Sequence, residues 1–145
     1  MCSSDLAPLV ELARACGQVQ QLIDRLLALV ERRRRKADMG VASTLLLLAA
    51  DVAERDFGDQ TRALELHRRA EEMQPRSFEV LSGIARLAQQ QGNVAECDRV
   101  AGVLKLAAAE ARTPDAAAEA LYRAAALDHV AVRVEIGRAS CRERV

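Results

Sequence analysis

The sequence predicts an all-α fold, in which antiparallel helix pairs stack side by side as a solenoid. Three observations lead there. Half of the 145 residues are apolar, yet the set is dominated by 28 alanines, with one Tyr, two Phe and no Trp. Alanine is the best helix former, and small side chains let helices approach closely. Val and Ile rarely alternate with polar residues, so the period-2 signal of strands is weak. Finally, one apolar pattern recurs along the chain and ends each time in a Gly-polar turn.

That pattern justifies the elements in order. The first copy reads Leu6, Leu9, Val10 and Ala13, then Gly17-Gln18. The second reads Leu46, Ala49, Ala50 and Ala53, then Gly58-Asp59. The third reads Leu81, Ile84, Ala85 and Ala88, then Gly92-Asn93. A fourth opens with Leu121, Ala124 and Ala125. Spacings of three and four residues lay these side chains along one helix stripe. Glycine permits the left-handed backbone that ends a helix, and Asp59 or Asn93 can cap the next one. After each turn a second helix carries apolar or small residues four apart: Leu22 and Leu26, Ala63 and His67, Cys97 and Ala101. Pro75 stops one of these helices. Thr113-Pro114-Asp115 is a start signal, with a cap, a proline at the first helical position and an early acid. Helices are expected near 7–16, 19–35, 38–56, 60–73, 77–91, 94–111 and 114–130.

These residues resemble the tetratricopeptide repeat, whose unit is about 34 residues long. The best-matching copy runs from Leu46 to Pro75 and includes Gly58-Asp59, Ala63 and Ala70, with one extra residue in its inner turn. Leu46 and Leu81 stand where the family has a leading aromatic, and His67 and Ala101 where it has a later one. The resemblance covers about three and a half repeats, residues 6–128. It implies a protein-protein interaction scaffold without catalysis, binding a protein or peptide on the surface lined by first helices. By position, the implied contacts are Leu47, Asp51 and Glu54, then Ser82, Arg86 and Gln89, then Tyr122. The carboxylate clamp of some family members needs Lys, Arg and Asn at set places, and the single Asn here, Asn93, sits in a turn. The alternatives are a structural spacer, or a regulatory module of a multidomain enzyme such as a kinase or a transcription regulator. The Ala-, Arg- and Leu-rich composition resembles that of high-GC bacteria.

Charge argues against a nucleic-acid partner, because 21 basic residues are balanced by 21 acidic ones and such a footprint needs a basic excess. The run Arg32-Arg33-Arg34-Arg35-Lys36 is the sharpest polar feature. It reads as a solvated helix end, where cations favour the negative pole of the dipole, in preference to a contact for an acidic partner. No run of eighteen apolar residues suggests a spanning helix, and residues 1–30 carry no secretory pattern. No membrane is expected, and the expected compartment is the cytoplasm.

No enzymatic constellation emerges. His67 falls where the repeat packs a ring, and His129 has no partner at metal-ligand spacing. Glu71-Glu72 belong to a charged helix surface with Arg68 and Arg69. The sequence contains no Gly-rich phosphate loop and no nucleophile elbow. Catalytic residues, metal and cofactors are all expected to be none. Residues 1–6 and 135–145 resemble translated sequencing adapters, so the repeat array is expected over 7–134, and Ile136, Cys141 and Val145 are expected to stay out of its core. Of the cysteines within the array, Cys16 and Cys97 form neither a zinc pattern nor a disulfide framework, and Cys97 suits a small buried position.

Overall fold

The computed structural model describes residues 3–142, with side chains described over 6–128. Seven helices make up the described chain: α1 (Ser3–Ala15), α2 (Val19–Arg35), α3 (Met39–Phe57), α4 (Gln60–Met73), α5 (Phe78–Gln90), α6 (Val94–Ala109) and α7 (Pro114–Arg142). There is no strand among the described residues, so the fold is all-α. The chain divides into two compact units, 1–80 and 81–145.

Four turns share one construction. Gly17, Gly58 and Gly92 all take a left-handed backbone, with φ of 66°, 64° and 64°. After each, a second amide bonds back five or six residues, as Asn93 N–H does to the Ala88 carbonyl and Asp59 N–H to that of Ala53. These are Schellman closures, which satisfy the orphan carbonyls of a helix end. The turn between α2 and α3 is built the same way, with Asp38 N–H donating to the Arg33 carbonyl. Its left-handed residue is Ala37, at φ 56°. The next helix is then capped: Asp38 accepts from Val41 N–H, Asp59 from Arg62 N–H and Asn93 from Glu96 N–H. Thr113 Oγ1 accepts from Ala116 N–H at the start of α7.

In the first unit, α3 packs against both α2 and α4. Its alanines make this possible: Ala42, Ala49, Ala50 and Ala53 are fully buried beside Leu46 and Val52. The α2 stripe is Ile23, Leu26 and Val30. Of the expected pair, Leu26 is buried, whereas Leu22 is only half-buried and the adjacent Ile23 takes the buried place. His67 is buried on α4, consistent with a packing role. In the second unit, α6 packs along α7, burying Cys97, Val100, Ala101 and Leu104 on one side and Ala120, Ala124 and Leu127 on the other.

Three features depart from the sequence reading. The backbone of α7 continues helical to Arg142, past the expected end near 130, because no Gly-polar turn follows Asp128 until Gly137. Ala85 is half-buried where Ala50 is fully buried, so the two are not equivalent close-approach positions. Leu9, placed in the buried stripe by its spacing, is exposed, while Leu6 and Val10 on either side are buried. The expectations for Ile136, Cys141, Val145 and His129 concern side chains outside the described residues.

Candidate protein-binding surface

Two sets of candidate residues lie on first helices, one in each unit. In the first unit Leu47, Asp51 and Glu54 occupy successive turns of α3, and all three are half-buried. Spacings of four and three put them on one side of the helix. Asp51 is engaged by Arg55, at 2.8 Å.

The second unit gathers its set into a groove. Ser82, Arg86 and Gln89 on α5 line one wall together with Ala85, and Arg123 and Leu127 of α7 line the other. The groove has a volume of about 410 Å³. Arg123 joins its walls: Nη1 donates to Ser82 Oγ at 2.7 Å, while Nε donates to Glu119 Oε1 at 2.9 Å. Its floor is apolar, with Leu104 and Leu127 buried, while its rim is guanidinium, amide and hydroxyl. Such a mixture of apolar surface and a few converging polar groups is the general make-up of a binding site.

Compared with known proteins, the chain matches no family model, no curated protein and no solved structure.

Of the seven candidates, then, three share a groove, three share the α3 face, and Tyr122 stands apart. Its ring is exposed on α7 and does not line the groove. The residue that does, Arg123, was missed by the sequence reading, which carried Ser82 forward by repeat position to Tyr122. A signal was available in the fact that Arg123 is the single charged residue between Leu121 and Leu127.

The basic run is partly tied down where it sits. Arg33 reaches Asp38 at 3.4 Å, and Arg34 reaches Glu31 at 4.0 Å. Cys97 is buried and its burial pushes the thiol above its ordinary range. Cys16 is exposed. Among the described residues no group of three or more His, Cys, Asp or Glu side chains is placed to hold a metal ion. No helix among them is long and apolar enough to cross a membrane.

Proposed function

We propose that the chain is a protein-interaction scaffold of tetratricopeptide type, a solenoid of stacked helix pairs that binds a protein or peptide partner on its first-helix surface without turnover. The observation that carries the reading is the groove: three residues chosen by repeat position, Ser82, Arg86 and Gln89, line one concavity with Arg123. Side-chain bonds between alternate helices support the stacking. Arg14 of α1 bonds Asp56 of α3, Arg62 of α4 bonds Gln20 of α2, and Arg123 of α7 bonds Ser82 of α5. All three span 41 or 42 residues, close to one helix pair. Binding on such an array is shape-based, with weak contacts from successive copies adding along one surface. A cytoplasmic setting fits this role.

The test is selection of binding peptides from a displayed random library by the purified chain, followed by affinity measurement on Arg86→Ala and Gln89→Ala variants. Loss of affinity on either substitution supports the groove. Selection of no peptide at all, or peptides indifferent to both substitutions, would favour a structural spacer.

A further inference from the structure

The groove between α5 and α7 lies within the second unit, and the charges on its walls are of one sign. Arg86 and Arg123 line it, and among the described residues no aspartate or glutamate does. Arg123 is committed to Ser82 and Glu119, whereas Arg86 stands exposed on the opposite wall. The charge is particular to this copy of the repeat. Where α5 carries Arg86 and Gln89, α3 carries Asp51 and Glu54 at the same distances from the leading leucine. Repeat position thus sets where these residues stand, and each copy sets its own chemistry.

Two further features define the kind of molecule that fits. The first is width over an apolar floor: beside Leu104 and Leu127 the lining side chains are small, Ala85 on α5 and Ala126 on α7, which leaves room for an aliphatic side chain. The second is Gln89. Its side-chain amide is half-buried at the wall and has no hydrogen-bond partner among the described residues. An amide both donates and accepts, which matches the N–H and C=O of a peptide unit better than a simple anion. Ser82, Arg86 and Gln89 follow one another at spacings of four and three along one side of α5. Arg86 is the middle one, so polar partners lie on both sides of its guanidinium and an occupant chain continues past it in both directions.

We infer that the groove recognises an internal stretch of peptide with an acidic side chain beside an aliphatic one, the carboxylate accepting from Arg86 and the aliphatic group resting on Leu104 and Leu127. The inference rests on the reading of this groove as the binding surface. A guanidinium presents a planar fork of donors that matches the two oxygens of a carboxylate, and Gln89 takes a neighbouring peptide unit. The apolar contact supplies most of the affinity, and the carboxylate selects the sequence.

Peptides selected from a displayed random library on the full chain should be enriched in glutamate or aspartate beside leucine, isoleucine or valine. A selected sequence, synthesised with both ends blocked, is then titrated by fluorescence anisotropy. Replacing its acidic residue by glutamine should weaken binding to the wild type on the order of tenfold and change binding to Arg86→Ala very little. Arg86→Glu should reject the acidic peptide and accept the version with lysine at that place. Arg86 is exposed, and circular dichroism checks that the variants fold. Peptides that need Gln89 yet show no acidic enrichment, or that lose nothing on the glutamine replacement, overturn the acidic specificity and leave the groove standing. Affinity that vanishes when the peptide's carboxy terminus is blocked puts the carboxylate at a chain end and overturns the inference as well. Selection of no peptide, or of peptides indifferent to both Arg86→Ala and Gln89→Ala, overturns it together with the scaffold reading.

Discussion

Arg14 and Asp56 are 42 residues apart in sequence and joined by two parallel bonds, Nε to Oδ1 at 2.7 Å and Nη2 to Oδ2 at 2.9 Å. The fork ties the end of α1 to the end of α3, and Glu11 adds a third contact to the same guanidinium at 2.6 Å. Asp56 and Glu11 together hold Arg14 firmly in its charged form. A two-point bond fixes orientation as well as distance, which a lysine cannot reproduce. Because α1 buries little apolar surface beyond Leu6 and Val10, its docking should lean on this contact. Arg14→Lys and Arg14→Ala should both speed hydrogen exchange throughout α1, with α4 unaffected. Equal protection of α1 in wild type and Arg14→Ala would show that packing alone retains it.

Ala37 takes the left-handed conformation that glycine takes in three sister turns. For an L-residue that conformation costs about 1–2 kcal/mol, part of which glycine returns as chain entropy in the unfolded state. Ala37→Gly should therefore stabilise the protein by about 0.5–1 kcal/mol, read as a higher denaturant midpoint at unchanged slope. Gly58→Ala should move the midpoint the other way by a similar amount.

Much of this fold was legible in the sequence because turn chemistry is local. Gly58-Asp59, Gly92-Asn93 and Thr113-Pro114 announce their geometry in two residues, and the helix boundaries follow. Ala37-Asp38 makes the same turn without announcing it, since alanine carries no preference for positive φ. On α2 the buried place falls to Ile23 instead of Leu22 because these adjacent apolar residues, three and four before Leu26, both satisfy a helix stripe. The site was less legible. Which of Tyr122 and Arg123 enters the groove depends on the rotation of α7 against α5, and an alanine-rich helix with little amphipathic contrast leaves that rotation undetermined. Burial at the ends was illegible for a related reason: Leu9 and Ile84 satisfy one pattern, and only the neighbours a helix has decide which is covered.

Ser43 is fully buried on α3, and its hydroxyl has no hydrogen-bond partner. An orphaned buried hydroxyl forfeits its hydration without return, at about 1–3 kcal/mol. Ser43→Ala should raise the melting temperature, whereas Ala50→Leu, which adds three carbons to a fully buried position, should cost about 1–3 kcal/mol by overpacking. Thermal melts of both variants separate the two effects by sign.

The cysteines should differ in reactivity. Burial removes Cys97 from reagents and raises its thiol above the ordinary range, disfavouring the thiolate that alkylates. At pH 8 iodoacetamide should modify Cys16 quickly and Cys97 only after unfolding, as peptide mass mapping will show. The sign for stability follows: the unfolded chain loses the Cys97 proton first, so its contribution is present at neutral pH and declines as pH rises past the ordinary thiol range. Fast labelling of Cys97 in the native protein would mean that α6 opens readily.

The groove and the basic run make opposite predictions for binding. A partner held between α5 and α7 meets an apolar floor and a rim of Arg86, Gln89 and Ser82, so much of its affinity comes from desolvated contact and withstands salt. A partner held by Arg32–Lys36 meets exposed charge at one helix end, which salt screens over a Debye length of about 8 Å at physiological ionic strength. With a peptide selected on the intact chain, Arg86→Ala combined with Gln89→Ala should weaken affinity on the order of tenfold. Neutralising Arg32, Arg35 and Lys36 should change it far less, and Tyr122→Ala, outside the groove, should leave it intact. Ala85→Leu discriminates further. Ala85 is half-buried at the groove wall, so leucine there should fill the space and block the peptide while the melting temperature stays nearly constant. The reverse ranking, with affinity lost on neutralising the basic run and falling steeply with salt, would move the binding surface to the end of α2.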